Sequence, residues 1–269
     1  MTSAYLYLYL LAALLFLLRV FLRNERLGMA ASLVTYAGLL TNVTLVVWRS
    51  VRGGRLPLAS GYEFSLVFVI GVVAAYVVLE VLTGQRVLGA FALPIAALIG
   101  WYGFSTFPDR QIHGLLPALQ NPFWLTVHVL MAIISYGALA VGFGLSAAHL
   151  VQSGLARTRR GPSRALPSAE RLDVLTYQVI GFAFPFLTLL IVTGSVWAQT
   201  AWGRWWGWDP KETASLVAWL IYAVYVHARL LAGWRGTKAS LVAVLGFAAV
   251  VFTYAGVNYL GRGLHQYGG

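Results

Sequence analysis

The hydrophobic residues of the chain fall into long uninterrupted blocks separated by short polar stretches. A block of roughly 20 apolar residues is the length that crosses a bilayer as a helix. Eight such segments occur, at about 4–22, 29–48, 61–82, 87–107, 123–151, 174–199, 211–232 and 239–260. Pro94 and several glycines interrupt the fourth, which a membrane helix tolerates when its neighbours satisfy the freed backbone groups. The pattern predicts an all-α, polytopic membrane helix bundle with eight transmembrane helices, forming a single domain over residues 1–269.

Composition excludes a soluble domain. Apolar residues make up 59% of the 269 residues and charged residues 10%, whereas soluble domains average about 45–50% and about 25%. No Cys occurs, which excludes a disulfide framework, a thiolate metal site and a thiol nucleophile. The first apolar run has no basic leader and no small-residue cleavage site, so we expect a retained helix and not a signal peptide.

The distribution of charge predicts the orientation. The formal net charge is +11, and in a membrane protein such an excess indicates contact with anionic lipid and not with nucleic acid. Twelve of the 19 Lys and Arg lie on one side, in the loops near 19–28, 84–86, 153–173 and 229–238. The positive-inside rule makes that side cytoplasmic. Both termini and the loop at 200–210 are then expected outside the cell.

Three arginines do not fit this orientation. Arg49, Arg52 and Arg55 lie together on a loop predicted to be outside. Two explanations stay open at this point. Either the protein tolerates three positive charges on an outer loop, or the three arginines bind an anionic ligand or partner.

Residues 200–213 contain the most informative motif, a Trp-rich outer loop that opens the seventh helix. Its core reads WGRWWGWDPKET and starts at Trp202, with Trp205, Trp206 and Trp208 following. One interpretation is an aromatic belt at the membrane interface. A belt usually has one or two Trp at a helix end, however, and four in seven residues form a surface suited to a large flat apolar ligand.

The residues after the tryptophans predict a sharp helix start. Asp209 is a good N-cap, Pro210 suits the first helical position, and Glu212 completes a capping box. This structural role is compatible with ligand binding, because a rigid helix start fixes the loop above it. The positively charged side chain of Lys211 or Arg204 can also pair with a carboxylate at this loop.

These motifs resemble a known family. WGRWWGWDPKET, followed by SLVAWLIYAVYVHARL and the closing FTYAGVNYLGRGLHQYG, is similar to the WWD signature of haem-handling proteins, and within them to the CcsA (ResC-like) branch of System II cytochrome c biogenesis. The resemblance is strongest over about 120–265. It implies a subunit that carries haem b, as transported substrate, to the outer face. With a CcsB (ResB-like) partner, such a subunit attaches haem to the CXXCH motif of apocytochrome c.

The resemblance also assigns roles to histidines, the usual nitrogen ligands of haem iron. His128 and His265 match the family's outer pair of axial ligands, above a platform of Trp202, Trp205, Trp206, Trp208 and Asp209. His227 matches its membrane-embedded histidine, whose mate belongs to the CcsB-like partner. It lies 17 residues beyond Pro210, about 25 Å along a helix. His149 is expected to have a structural role at the cytoplasmic edge, and His113 to be a solvated loop residue.

The resemblance implies a bacterial inner (plasma) membrane location and a subunit of a cytochrome c synthase. Because the sequence has no Cys and no obvious acid–base dyad, we expect this subunit to position its substrates without acid–base catalysis. Three other functions stay open. The CcmC branch of System I shares the Trp-rich loop but usually has six helices and lacks DPKET. A membrane electron-transfer protein with permanent b-type haems needs histidine pairs within the bundle. A small-molecule transporter is favoured only by the broken fourth helix.

Overall fold

The computed structural model of the protein describes residues 3–114, 122–158 and 161–260, which form eight long helices. Each helix is long and apolar enough to cross a membrane, so the prediction of an all-helical, multi-pass membrane protein is confirmed. The helices are α1 (Ala4–Leu22), α2 (Glu25–Gly53), α3 (Gly61–Thr83), α4 (Gly89–Thr106), α5 (Pro122–Ala156), α6 (Ala169–Trp202), α7 (Pro210–Leu230) and α8 (Thr237–Tyr254). Short 3₁₀ turns, Arg86–Leu88 and Gly256–Leu260, precede α4 and follow α8.

Helices α5 and α6 are longer than their hydrophobic segments predict. They contain 35 and 34 residues, about 50 Å each, against a hydrocarbon core of about 30 Å. Their extra turns occupy part of the predicted loop at 153–171. Polar side chains stabilise this extension, since the Gln152 amide donates to the carbonyls of Ser163 and Pro167 at 3.0 and 3.1 Å.

A close crossing joins the first four helices to the last four. At this point α3 presents Gly71 and α5 presents Gly137. A Cβ added to Gly137 would lie 2.5 Å from the carbonyl carbon of Gly71, so the two backbones touch. Small residues allow such an approach between membrane helices, and no larger residue fits here without separating α3 from α5.

The helices alternate in direction, and the loops therefore gather at two ends of the bundle. We call the end with the loop residues 54–60, 107–114 and 203–209 the tryptophan end. The opposite end, with the loop residues 161–168 and 231–236, is called the basic end.

Buried ion pairs fix the basic end. The Arg229 guanidinium donates to both carboxylate oxygens of Asp173 at 2.9 and 2.8 Å, and the backbone N–H of Gly236 donates to the same carboxylate at 2.8 Å. Elsewhere at this end, Ser32 donates to Glu80 at 2.7 Å. The Asp173 contacts join α6, α7 and the start of α8 at this end, and the Ser32–Glu80 contact joins α2 to α3.

Candidate functional site

A cavity of about 830 Å³ opens at the tryptophan end. Its volume lies in the upper part of the range of small-molecule and cofactor sites, about 300–1,000 Å³. The walls come from both halves of the chain and are mostly apolar and aromatic, including Phe64, Tyr102, Leu125, Tyr136, Trp206 and Tyr254. Such walls suit a large, flat, apolar ligand.

His128 lies on the wall of this cavity, in the second turn of α5. Its Nδ1 is 3.1 Å from the carbonyl oxygen of Leu190 on α6. A carbonyl only accepts hydrogen bonds, so Nδ1 carries the proton and the lone pair of the neutral ring is on Nε2. This is the arrangement by which proteins orient a metal-binding imidazole.

Two further residues of α6 hold the imidazole in place, and sequence reasoning missed both. The ring of Trp197 stacks on the His128 ring with centroids 5.9 Å apart and planes at 15°. On the same helix, a Cβ at Gly194 would lie 2.8 Å from Cε1 of His128, so only glycine leaves room for the ring. The sole signal in the sequence is their spacing of three residues, which places them on one face of α6.

The four tryptophans of residues 202–208 lie in different environments. Trp206 lines the cavity, and its ring meets that of Trp208 edge-on at 5.7 Å. Trp202 packs against Trp197 behind His128, with ring centroids 4.9 Å apart. Trp205 and Trp208 are 57% and 68% exposed. The suggestion that all four contact a haem stays a prediction.

The start of α7 is the capping box that the sequence predicts. Asp209 is buried and accepts from the backbone N–H of Lys211 at 2.9 Å. Glu212 accepts from the backbone N–H groups of Asp209 and Gly207 at 3.1 and 2.8 Å. Ser195 donates to the carbonyl of Trp205 at 2.7 Å, which ties the loop to α6. The prediction of a rigid helix start is confirmed.

Charged residues also line the cavity. Lys211 and Glu212 reach it from α7, and Asp109 and His113 reach it from the loop after α4. Nε2 of His113 lies 2.8 Å from a carboxylate oxygen of Asp109. Hydrogen bonds from the Gln111 backbone N–H and from His113 hold the pKa of the Asp109 carboxyl below its usual range. His113 is exposed, as expected, but it belongs to the wall of the cavity.

Two of the three arginines that fit the predicted orientation poorly share one buried carboxylate. Arg49 and Glu63 are 2% and 1% exposed and pair at 2.9 Å. Arg55 pairs with the other oxygen of Glu63 at 2.8 Å. The guanidinium of Arg52 instead lies over the ring of Trp48, 5.9 Å from its centroid. Two of the three arginines thus bind a carboxylate of the protein itself.

His227, expected from the resemblance to be a membrane-embedded histidine, lies on the face of α7 that none of the other described helices covers. The exposed face of this helix carries Val217, Leu220, Val224 and His227 at helical spacing. His149 is instead buried. Its Nδ1 donates to the carbonyl of Ala169 at 2.9 Å, and Ser153 donates to its Nε2 at 3.2 Å, as a structural role requires. His265 lies outside the described residues.

Comparison with known sequences gives a consistent result. A family model described as "Cytochrome C assembly protein" matches residues 58–265. A cytochrome c biogenesis protein CcsA of Chlamydomonas reinhardtii is 40% identical over 86% of this chain and 65% of its own length. CcsA proteins of Synechococcus elongatus and Thermosynechococcus vestitus are 37% and 36% identical, over 82% and 90% of this chain and 81% and 86% of theirs. This chain therefore spans just under two thirds of the algal relative and most of the cyanobacterial ones.

Among solved structures, the cytochrome c haem lyase CcmF matches 97% of this chain and 47% of its own length, with a TM-score of 0.71 and 19% identity. At that identity the likeness concerns the fold alone. The sequence relatives are more specific, since several at 36–40% identity carry one name. The chain belongs to the cytochrome c assembly protein family, and within it to the CcsA-type cytochrome c biogenesis proteins.

Proposed function

We propose that this protein is the haem-presenting subunit of a System II cytochrome c synthase. Its substrate is haem b, bound in the cavity at the tryptophan end. That end faces the outside of a bacterial inner membrane, as do both termini. There the haem is offered to the CXXCH motif of apocytochrome c.

One observation carries this proposal: the environment of His128. The hydrogen bond to Leu190 directs the Nε2 lone pair away from α6, and the stack on Trp197 restricts rotation of the ring. An imidazole oriented in this way, in the wall of a large aromatic cavity, fits an axial ligand of haem iron. Lys211 on the same wall supplies a positive charge for a propionate. His265 is proposed as the second axial ligand.

The face of α7 that carries His227 supports a partner. The surrounding side chains are exposed valines and leucines, so this stripe contacts either lipid or another transmembrane helix. An ionisable residue at membrane depth is a functional candidate with a partner to be named. We propose that a CcsB-type protein covers this stripe and shares a membrane haem with His227.

The decisive experiment is an absorption spectrum of the purified chain with and without its CcsB-type partner, for wild type and His128→Ala. We expect a low-spin bis-histidine spectrum that His128→Ala loses and that added imidazole restores. The matched control is His149→Ala, which removes a histidine from the same helix outside the cavity. If His128→Ala kept the wild-type spectrum and matured cytochrome c without imidazole, the outer site would be wrongly assigned.

A further inference from the structure

The loop between α4 and α5 places a carboxylate and an imidazole together on the wall of the cavity that holds His128. Nε2 of His113 lies 2.8 Å from Oδ2 of Asp109, and both side chains are 61% exposed. The backbone N–H of Gln111 donates to the other carboxylate oxygen of Asp109 at 2.9 Å. The pair is therefore accessible to a macromolecular substrate and has a defined geometry.

Two arginines, one buried and one partly buried, hold this loop against the bundle. Arg49, which is 2% exposed, donates to the carbonyls of Arg110 and Gln111 at 2.9 and 3.3 Å. Arg55 donates to the carbonyl of His113 at 2.9 Å. Both guanidinium groups are in turn fixed by Glu63. The arginine cluster thus fixes the backbone on which the Asp109–His113 pair is mounted.

The hydrogen bond determines which nitrogen of His113 is basic. An ionised carboxylate only accepts hydrogen bonds, so the neutral ring donates from Nε2 to Asp109 and has its lone pair on Nδ1. A base held by a carboxylate in this way is the arrangement that activates nucleophiles in many enzymes. This chain contains no Cys, so the nucleophile that the pair would serve must come from a substrate.

We propose that His113 is the general base and acid of thioether formation and that Asp109 is its positioning residue. This inference rests on the proposed function. Nδ1 of His113 takes the proton from a cysteine thiol of the CXXCH motif. The sulfur then bonds to the ring-attached carbon of a haem vinyl group, and the proton returns to the terminal vinyl carbon. The C=C bond becomes a single bond, and nothing is oxidised or reduced.

Other charged groups face the same space and belong to the expected pH behaviour. His128 of α5 and Lys211 and Glu212 of α7 line the cavity with the pair. The Arg55 guanidinium binds the His113 carbonyl, and Arg52 lies with His113 along an adjoining surface cleft. The carboxylate at 2.8 Å is the nearest of these charges to the imidazole, and it stabilises the imidazolium that forms when the thiol is deprotonated.

The test compares His113→Ala, Asp109→Asn and wild type, each with the CcsB-type partner, haem and a reduced CXXCH peptide. The control is Gln111→Ala, which keeps the backbone N–H that binds Asp109. Rates of thioether formation are measured from about pH 6 to about pH 9, and the haem spectrum of each purified complex is recorded. Removal of a general base typically lowers the rate by about 10²–10⁴-fold, and we expect His113→Ala to fall in that range near neutral pH.

The pH profile separates a chemical role from a structural one. Without the base, the thiol must ionise by itself, and the unperturbed pKa of a cysteine thiol is about 8.5. The deficit of His113→Ala should therefore shrink as the pH approaches 9, and added imidazole should raise its rate. The rate of thioether formation in Asp109→Asn should lie between the rates of His113→Ala and wild type. The haem spectra of all these complexes should be the same.

Two results would overturn the inference while leaving the proposed function intact. One is a wild-type rate in His113→Ala with a normal haem spectrum. The other is a deficit of the same factor at every pH, which would show a structural role. Failure of the proposed function looks different, because then the wild-type complex itself would neither bind haem nor attach it.

Discussion

The glycine beside His128 gives the sharpest test of the haem site, because it changes the ligand's position without removing the ligand. A Cβ at Gly194 would lie 2.8 Å from Cε1 and 2.9 Å from Nδ1 of His128. Carbon atoms in ordinary contact are about 3.5–4.0 Å apart. In Gly194→Ala the imidazole must therefore retreat by roughly 0.7 Å, which breaks the 3.1 Å hydrogen bond to Leu190.

The expected loss follows from that bond. Removing a group that orients a metal-binding histidine typically weakens metal binding about 10–100-fold, equivalent to about 1.4–2.8 kcal/mol. Overpacking destabilises by about 1–3 kcal/mol, and the higher helix propensity of Ala offsets about 1 kcal/mol of it. We therefore expect a folded protein with much weaker haem binding, measured by absorption titration of the purified chain.

A second glycine of α6 provides the matched control. A Cβ at Gly181 meets nothing within 4 Å, so Gly181→Ala should bind haem like wild type and unfold at the same or a slightly higher temperature. Added imidazole should restore the low-spin spectrum of Gly194→Ala, since it replaces the displaced ligand. Wild-type affinity and spectrum in Gly194→Ala would refute the assignment of His128.

Three further predictions concern stability and topology. Glu63→Gln removes the negative charge that pairs with the buried Arg49 and the partly buried Arg55 and should lower the free energy of unfolding by about 3–5 kcal/mol. Glu25→Gln, in an exposed pair, should change it by less than about 1 kcal/mol, and thermal denaturation compares the two variants. His227→Ala should unfold like wild type but retain less haem in the partner complex, while His149→Ala should lose about 1–3 kcal/mol of stability and keep its haem. A reporter active only after export should stay inactive within 153–171, and activity there would reverse the proposed orientation.

The sequence predicts the fold because hydrophobic length is a local property in a membrane protein. All eight predicted segments coincide with a helix. The hydrophobic segments do not predict the ends of α5 and α6. Outside the hydrocarbon core a helix does not need apolar residues, so hydropathy carries no information about where it ends. There the helix continues because side chains such as Gln152 bind the connecting loop, and this contact depends on tertiary structure.

The site is predictable only in part, for a related reason. The Trp-rich motif, the capping box and the position of His128 are visible as local patterns. The stack of Trp197 on His128 and the space left by Gly194 join two helices, so neither has a pattern along the chain. In the same way, the sequence alone does not distinguish Arg49 from a solvated charge in a loop. Only the structure shows that it pairs with Glu63.

The contact between Gly71 and Gly137 has a consequence for which ligands the protein accepts. Residues of all the helices from α3 to α8 line the cavity, and the two glycines set how closely α3 approaches α5. Gly71 lies seven residues from Phe64 on the cavity wall, about 10 Å along the helix. The spacing of the α3 and α5 parts of the cavity wall therefore depends on two residues that do not themselves line the cavity. Because close-packed protein interiors transmit strain, a methyl group added at this crossing would move these two parts of the wall apart and relax selection for flat molecules without changing the identity of any lining side chain.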